Sequence, residues 1–265
     1  MNPGWLAGCG LSSHPAFDSV RGAWQRLASD VWPDLPKLNA LIEGHANIRS
    51  ASLRFVAPTD NAAATSYESG IAISGEIPTR SNWHDLFNAL AWASWPGAKA
   101  AISEMHLRQI EAGLGAGPRG PVRDALTLFD ESGAVVVGDA PMLEAIRGFR
   151  WREVFLDRRD EWKDRVQVLL FGHALMEQML NPRIGLTAKC VLLEQDSVFD
   201  NLDVRLAAHL LDPANIRTPR DLHPLPVLGI PGWDERNESP DFYANTDYFR
   251  PGRLRDHKGA PTADA

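Results

Sequence analysis

The pattern of hydrophobic and polar positions along the chain predicts more helices than strands. In the segment 16–29, the apolar residues Val20, Trp24 and Leu27 recur at the three- to four-residue spacing of a helix that is buried on one side. Further helices are predicted to begin near Trp83 and to cover 98–112, 142–165 in pieces, 166–180 and the region around 203–211. Strands are predicted at 51–56, 67–77 and 186–193.

The segment 124–137 is predicted to form a β-hairpin. Two runs rich in β-forming residues flank Ser132-Gly133, and a glycine-containing turn between such runs is typical of a hairpin. Helices outnumber strands and the strand pairing looks local, which favours an α+β fold. We therefore predict a helix-rich single domain with a small, mainly antiparallel sheet that includes a hairpin near 124–138.

Glycine and proline positions predict the organisation of the domain. The Gly/Pro stretch 113–121 is expected to form a loop between two halves of one globular domain, which spans residues 1–252. Prolines are frequent from 213 onward, so this part is expected to wrap over the core as a coil. The charged segment 253–265 lacks apolar anchors and is expected to be a disordered tail.

Composition and charge exclude several classes of protein. With 44% hydrophobic and 23% charged residues, the chain has the composition of a globular protein. Its 27 Lys and Arg against 34 Asp and Glu give a net charge of −7, which argues against a duplex nucleic-acid binder. Two isolated cysteines, Cys9 and Cys190, form neither a disulfide framework nor a cysteine-rich zinc site. Neither a membrane-spanning stretch nor a signal peptide is recognisable, so we expect a soluble cytoplasmic protein with no membrane partner.

The candidate chemistry lies in two largely apolar segments that each carry a narrow polar stripe. In 83–95 the stripe contains His84, Asp85 and Asn88, which are three or four residues apart and share one helix face. In 166–180, His173 and Glu177 have the same four-residue spacing. A helix that is apolar on its other faces is expected to be buried, and buried polar groups need partners. The two stripes are therefore predicted to meet in one polar cluster.

This cluster is predicted to be a metal-binding or acid–base site. An imidazole and a carboxylate four residues apart on a helix can ligate one ion, with the other ligands coming from another element. The predicted ligands of a divalent metal ion are His84, His173 and Glu177. The familiar catalytic motifs, including the phosphate loop, the G-x-S-x-G elbow and the H-E-x-x-H helix, are absent.

Further side chains are expected to complete the catalytic site. The candidate catalytic residues are His84, Asp85, Asn88, Asp130 and Lys189. Asn88 would orient a ligand or substrate, while Asp130 and its neighbour Glu131 would supply carboxylates that close the site or act as a base. Lys189 lies between apolar neighbours, so its ammonium is expected to pair with Glu177 or Asp130 and to neutralise developing negative charge.

A structural interpretation of the same residues stays open at this stage. Asn82 can cap the helix that begins near Trp83, and Asp85 then falls at the third helical position, where it can complete a weak capping box. The polar stripes would then fix how helices pack. In that interpretation the protein is a non-catalytic scaffold or partner-binding protein, with the proline-rich segment or an exposed Trp233 as its interface.

Five ordered blocks of the chain resemble a known bacterial family. The blocks are NWHDLFNAL at 82–90, RDALTLFDE at 123–131, FGHAL at 171–175, GLTAK at 185–189 and PLPVLGIPGW at 224–233. Together they resemble the family known as domain of unknown function 3025, over a span from about Phe17 to Arg253. Pro96-Gly-Ala-Lys99 departs from the Pro-Arg-Thr-Lys of that family. The resemblance implies no activity, but its blocks contain most of the polar residues singled out above.

The predicted function is that of a cytoplasmic, metal-assisted hydrolase-like enzyme acting on a small-molecule substrate. A special case is the HD-type phosphohydrolase, because His84-Asp85 matches the core dipeptide of that family. Such an enzyme needs a further upstream histidine, for which His45 is the candidate. The alternative remains the non-catalytic scaffold described above.

Overall fold

The computed structural model describes residues 11, 13–27, 31–58, 67–114, 120–195 and 201–252. The α-helices in these ranges are α1 (Asp18–Arg26), α2 (Leu35–Leu41), α3 (Tyr67–Ser74), α4 (Trp83–Ser94), α5 (Pro96–Gln109), α6 (Pro121–Ser132), α7 (Ala140–Arg147), α8 (Trp162–Arg165), α9 (His173–Gln178) and α10 (Leu202–Leu211). The strands are β1 (Arg54–Val56), β2 (Glu76–Pro78), β3 (Gly133–Gly138), β4 (Val166–Leu170), β5 (Thr187–Glu194) and β6 (His223–Pro226). Several short 3₁₀ and π turns connect them.

The strands form one four-stranded and one two-stranded sheet. The larger sheet has the order β4-β3-β5-β6, in which β3 is antiparallel to β4 but parallel to β5, and β5 is antiparallel to β6. The smaller sheet pairs β1 and β2 in parallel. The helix-rich α+β prediction is therefore confirmed. The sheets are mixed rather than mainly antiparallel, because two of the four strand pairings described are parallel.

The prediction of a β-hairpin near 124–138 is wrong. Residues 121–132 form α6, which starts with Pro121 in its first turn and buries Ala125, Leu126 and Phe129 on one face. Gly133 then enters β3 directly. The run 124–129 satisfies both helical and strand spacing, and its packing against α5 and α9 selects the helix.

Two further segments each begin with a different secondary structure from the one predicted. The segment 166–180, predicted as one helix, begins with β4, whose buried Val166, Val168 and Leu170 alternate as strand residues do, and only then continues into α9. The segment 67–77, predicted as a strand, forms α3 before it enters β2. The helices predicted from Trp83, at 98–112 and around 203–211 correspond to α4, α5 and α10.

Strand β3 separates two apolar clusters. Ala134 and Val136 face a cluster that contains the buried sides of α1 and α4, whereas Val135 faces a cluster built by α5, α6 and α10. Helices therefore cover both faces of the larger sheet. None of the helices in the described part of the chain is long and apolar enough to cross a lipid bilayer.

The proline-rich C-terminal segment follows the predicted course only in part. It contributes the edge strand β6 and a series of short 3₁₀ turns up to residue 244. Trp233, expected to be exposed, is buried with 5% of its surface accessible, and its carbonyl contacts His14 Nε2 at 3.0 Å. The single-domain boundary at 252 stays a prediction. The predicted tail 253–265 and most of the predicted loop 113–121 lie outside the described residues.

Candidate metal centre

The antiparallel pairing of β3 and β4 brings the two polar stripes and a third acidic segment together. Ala134 at the start of β3 pairs with Leu170 at the end of β4, so the helix that precedes β3 and the helix that follows β4 lie at the same end of the sheet. Asp130 and Glu131 lie in the last turn of α6, and His173 is the first residue of α9. α4 packs on α9, which completes the convergence.

Gly172 makes this convergence possible. Its amide and that of Phe171 both donate hydrogen bonds to Gly133 O, each at 2.9 Å. A Cβ atom at position 172 would lie 2.3 Å from Gly133 N and 2.5 Å from Ser132 N, closer than real Cβ contacts come. Only glycine therefore allows the start of α9 to lie against the end of α6.

Two histidines and one glutamate meet in the wall of a cavity of about 600 Å³. His84 Nε2 lies 3.0 Å from His173 Nε2, and His173 Nε2 lies 3.5 Å from Glu131 Oε2. One ligand atom from each of the three residues lies within 4.8 Å of the other two. His173 is buried, whereas His84 is partly open to the cavity.

A carboxylate lies near the Nδ1 atom of each histidine, on the side away from the other histidine. Glu177 Oε2 lies 3.3 Å from His84 Nδ1, and Asp130 Oδ2 lies 3.8 Å from His173 Nδ1. The second distance is too long for a hydrogen bond, and the buried His173 Nδ1 has no hydrogen-bond partner among the described residues. Glu177 contacts Nδ1 of His84, whereas a residue that shared the metal with both histidines would lie beside their Nε2 atoms. A carboxylate on Nδ1 fixes the orientation and tautomer of a metal-binding histidine, a role that Glu177 can take for His84.

A buried lysine outside the predicted site residues, Lys99, holds Asp130. Lys99 Nζ lies 2.5 Å from Asp130 Oδ1 and 2.7 Å from Asn88 Oδ1, and only 3% of the residue is accessible. The ammonium also lies 5.4 Å from the centre of the Trp92 ring. Asn88 Nδ2 in turn donates to the hydroxyl of Tyr67 at 2.9 Å.

Burial and neighbouring charges set the protonation of the cluster. Burial lowers the pKa of His173 to about 3, and the charges of Lys99 and His84 act in the same direction, which keeps its imidazole neutral at physiological pH. Burial also raises the pKa of Glu131, an effect that the charge of Asp130 reinforces. For Asp130, burial acts to raise the pKa, but Lys99 and His173 outweigh it and hold the pKa below its usual value.

Two of the three separations between the converging atoms are those of ligands that share one metal ion. Two ligands held about 2.1 Å from a tetrahedral zinc ion lie about 3.4 Å apart. The observed separations of 3.0 Å between the two Nε2 atoms and 3.5 Å between nitrogen and carboxylate oxygen bracket this value. Two imidazoles and one carboxylate are also a donor set typical of catalytic zinc and of non-haem iron.

The comparisons with known proteins identify a family but no activity. The model of a family described as a protein of unknown function (DUF3025) matches residues 53–253, which is more than half of the 265 residues. The chain belongs to the DUF3025 family. No curated protein and no solved structure matches the chain. The DUF3025 region contains all the residues of the cluster described above, so the cluster lies within the part that defines the family.

Asp85 faces the cavity but is engaged at the start of α4. Asn82 caps this helix, as the sequence predicted, by accepting from Asp85 N at 2.7 Å. The Asp85 carboxylate accepts from Arg80 N at 2.6 Å rather than from Asn82 N, so the capping box is not reciprocal. The described hydrogen bonds of Asp85 are therefore those of a residue that stabilises the start of a helix.

Lys189 and His45 are not brought to the cavity. Lys189 lies within β5, between Gly133 of β3 and Pro224 of β6 in the strand register, and it is not among the described residues that line the cavity. Lys99 occupies the place beside Asp130 that Lys189 was expected to take. The same signal could have found Lys99, because it too is a lysine among apolar neighbours, Ala98, Ala100 and Ala101.

Proposed function

We propose that this DUF3025 chain is a metal-dependent hydrolase that acts on a small-molecule substrate in the cytoplasm. His84 and His173 would bind a divalent ion, with zinc as the expected metal, through their Nε2 atoms, and Glu131 would supply the third ligand. The observation that carries the proposal is the 3.0 Å approach of the two Nε2 atoms beside the Glu131 carboxylate.

The facing Nε2 atoms of the two histidines can share one cation. Glu177 Oε2 lies 3.3 Å from His84 Nδ1, which favours the tautomer of His84 with the proton on Nδ1 and a lone pair on Nε2. Burial lowers the pKa of His173 to about 3, so this imidazole is neutral at physiological pH, the form that binds metal. A bound metal ion would accept a lone pair from each Nε2 atom, 3.0 Å apart, and from the Glu131 carboxylate.

The surroundings of the cluster support hydrolysis of a small molecule. A bound divalent ion lowers the pKa of coordinated water and polarises a substrate oxygen. The cavity volume of about 600 Å³ lies in the range of about 300–1,000 Å³ typical of small-molecule sites. Glu177 would hold the imidazole of His84 in place, and Lys99 would hold Asp130 near His173 through its short ion pair.

Elemental analysis of the protein purified without a metal-binding tag tests this proposal. We expect about one divalent ion per chain in the wild type. Single variants His84→Ala, His173→Ala and Glu131→Gln should lose most of it. His209→Ala is the matched control, because His209 lies on α10 and is not one of the residues lining the cavity. It should keep the metal.

The alternative function makes a different prediction for the same proteins. If the polar stripes only fix helix packing, the wild type holds no stoichiometric metal and the histidine variants are folded but less stable. That result would contradict the proposed function and favour the non-catalytic scaffold. Circular dichroism of each variant distinguishes loss of metal from loss of the fold.

A further inference from the structure

The hydrogen bonds around Asn88 have only one consistent direction. The ammonium of Lys99 can only donate, so the atom of Asn88 that faces it at 2.7 Å must be the carbonyl oxygen Oδ1. The Asn88 amide nitrogen Nδ2 therefore faces Tyr67, and the Tyr67 oxygen must accept at 2.9 Å. The proton of the Tyr67 hydroxyl is thus left to point elsewhere. Among the described residues, the Tyr67 hydroxyl makes no hydrogen bond other than the one it accepts from Asn88.

Tyr67 consequently offers a donor to the cavity that it lines. Burial raises the pKa of its hydroxyl, with the charge of Asp130 adding to the effect, so the group stays protonated and available as a donor. The hydrogen bonds from Lys99 to Asn88 and from Asn88 to Tyr67 also polarise one another, which strengthens the Tyr67 hydroxyl as a donor. In a hydrolase, a donor placed beside the metal cavity binds the oxygen on which negative charge develops.

The charges that line the cavity offer no positive surplus to an anionic substrate. Five lining residues carry carboxylates, namely Glu68, Glu76, Asp85, Asp130 and Glu131. Arg80 is the one arginine among the described lining residues, and no lysine is among them. Lys99 and Arg54 match two of the carboxylates and Arg80 offsets a third, so a bound divalent ion would only neutralise the two that remain. A phosphorylated substrate would therefore find no net positive charge beyond the metal ion itself.

We propose that the substrate is a neutral acyl compound, an ester or an amide, and that Tyr67 donates a hydrogen bond to its carbonyl oxygen. This inference rests on the proposed hydrolase function. In the reaction, water adds to the carbonyl carbon and the bond from that carbon to the leaving oxygen or nitrogen breaks. The products are a carboxylic acid and an alcohol or amine, with the second proton of water passing to the leaving group.

Acetohydroxamic acid is a suitable probe, because this acyl compound is uncharged in solution at neutral pH and loses one proton when its carbonyl and hydroxamate oxygens bind a metal. Its affinity for the metal-loaded wild type, Tyr67→Phe and Ser74→Ala would be measured by isothermal titration calorimetry, with metal content measured in parallel. Ser74 is the matched control because it also lines the cavity, but its hydroxyl already donates to Gly70 O at 2.9 Å. Inorganic phosphate serves as the anionic probe.

We expect Tyr67→Phe to keep the metal and to bind acetohydroxamate about tenfold more weakly, the effect of losing one net hydrogen bond. Ser74→Ala should bind like the wild type, and phosphate should bind the wild type more weakly than acetohydroxamate does. Equal affinity in Tyr67→Phe and wild type would overturn the role of Tyr67. Tighter binding of phosphate would overturn the acyl assignment. A wild type without metal would overturn the proposed function and this inference with it. If every variant retains the metal, an unexpected binding result would overturn the inference but not the proposed function.

Discussion

At the scale of single residues, the Lys99–Asp130 pair is the most consequential interaction in the cluster. Lys99 is buried within an alanine-rich turn of α5, and its ammonium contacts the Asp130 and Asn88 oxygens and the face of the Trp92 ring. A buried charge is tolerated only when its partner remains, because the partner left behind is an uncompensated charge away from water. The pair therefore stabilises the protein as a unit, whereas either charge without its partner would destabilise the folded state.

Replacing Lys99 by methionine is expected to lower the free energy of unfolding by about 3–5 kcal/mol, the usual effect of breaking a buried ion pair. Asp130→Asn should also destabilise the protein. The double variant should be more stable than the sum of the two single changes predicts, because neither charge is then left unpaired. Urea denaturation of all four proteins measures the coupling. Additive effects within about 0.5 kcal/mol would contradict the pair as described.

The residues that sequence reasoning found and missed differ in how local their signal is. His84, Asn88, His173 and Glu177 stand out because each is polar on an otherwise apolar segment, and that contrast survives even though 166–170 is a strand rather than a helix. Glu131 was noted only as an additional carboxylate, because nothing in the sequence shows which acidic residue of α6 faces His173. The role of Tyr67 depends on a hydrogen bond to Asn88, 21 positions away, which spacing within one segment cannot reveal.

At the scale of secondary-structure elements, the site depends on two junctions at one end of the larger sheet. α6 passes into β3 without an intervening residue, and β4 passes into α9 through Phe171 and Gly172 alone. Such short connections fix the direction of each helix relative to the strands. The position of His173 beside Asp130 and Glu131 is therefore set by the backbone and not by flexible side chains.

These junctions are also where prediction from sequence failed. The runs 124–138 and 166–180 each contain a helix and a strand with no polar loop between them, so a single period was assigned to the whole of each run. Gly133 and Gly172 mark the true boundaries, but a lone glycine does not show which side of it is helical. Where elements were separated by clear turns, as around α4 and α10, the sequence predicted them well.

Gly172→Ala is expected to destabilise the protein by about 1–3 kcal/mol or more, in the manner of an overpacked site, because the new Cβ would meet backbone atoms that cannot rotate away. The variant should also lose metal, since α9 must move away from α6. Gly22→Ala is the matched control. Gly22 lies in α1 with no atom within 4 Å of an added Cβ, so this change should stabilise by about 0.5–1 kcal/mol. Thermal unfolding and elemental analysis compare the two, and equal behaviour would contradict the close approach.

At the scale of the whole molecule, three buried or half-buried histidines link stability to pH in the same direction. His173, His209 and His223 all have a lowered pKa, caused first by burial. The unfolded chain binds protons at these positions from about pH 6.5 downward, whereas the folded chain does not. Stability that is fully present above this pH is therefore lost as the pH falls. The raised pKa values of Glu131 and Asp203 oppose this trend, because there the folded state binds the proton first.

The contribution of His173 can be isolated in metal-free protein. Because its pKa falls to about 3 on folding, its proton is taken up by the unfolded chain across the whole interval between that value and about 6.5. The free energy of unfolding should therefore fall by about 2 kcal/mol from this residue alone between about pH 8 and 5, with a slope that approaches 1.36 kcal/mol per pH unit below about pH 6.5. His173→Gln removes the titrating group but leaves Glu131 and Asp203 in place, so the difference between the two stability profiles reports His173. Urea denaturation after chelation, repeated at pH 8, 6.5 and 5, gives both profiles. Parallel profiles would contradict a buried neutral imidazole and, with it, the lone pair that the proposed metal ion requires.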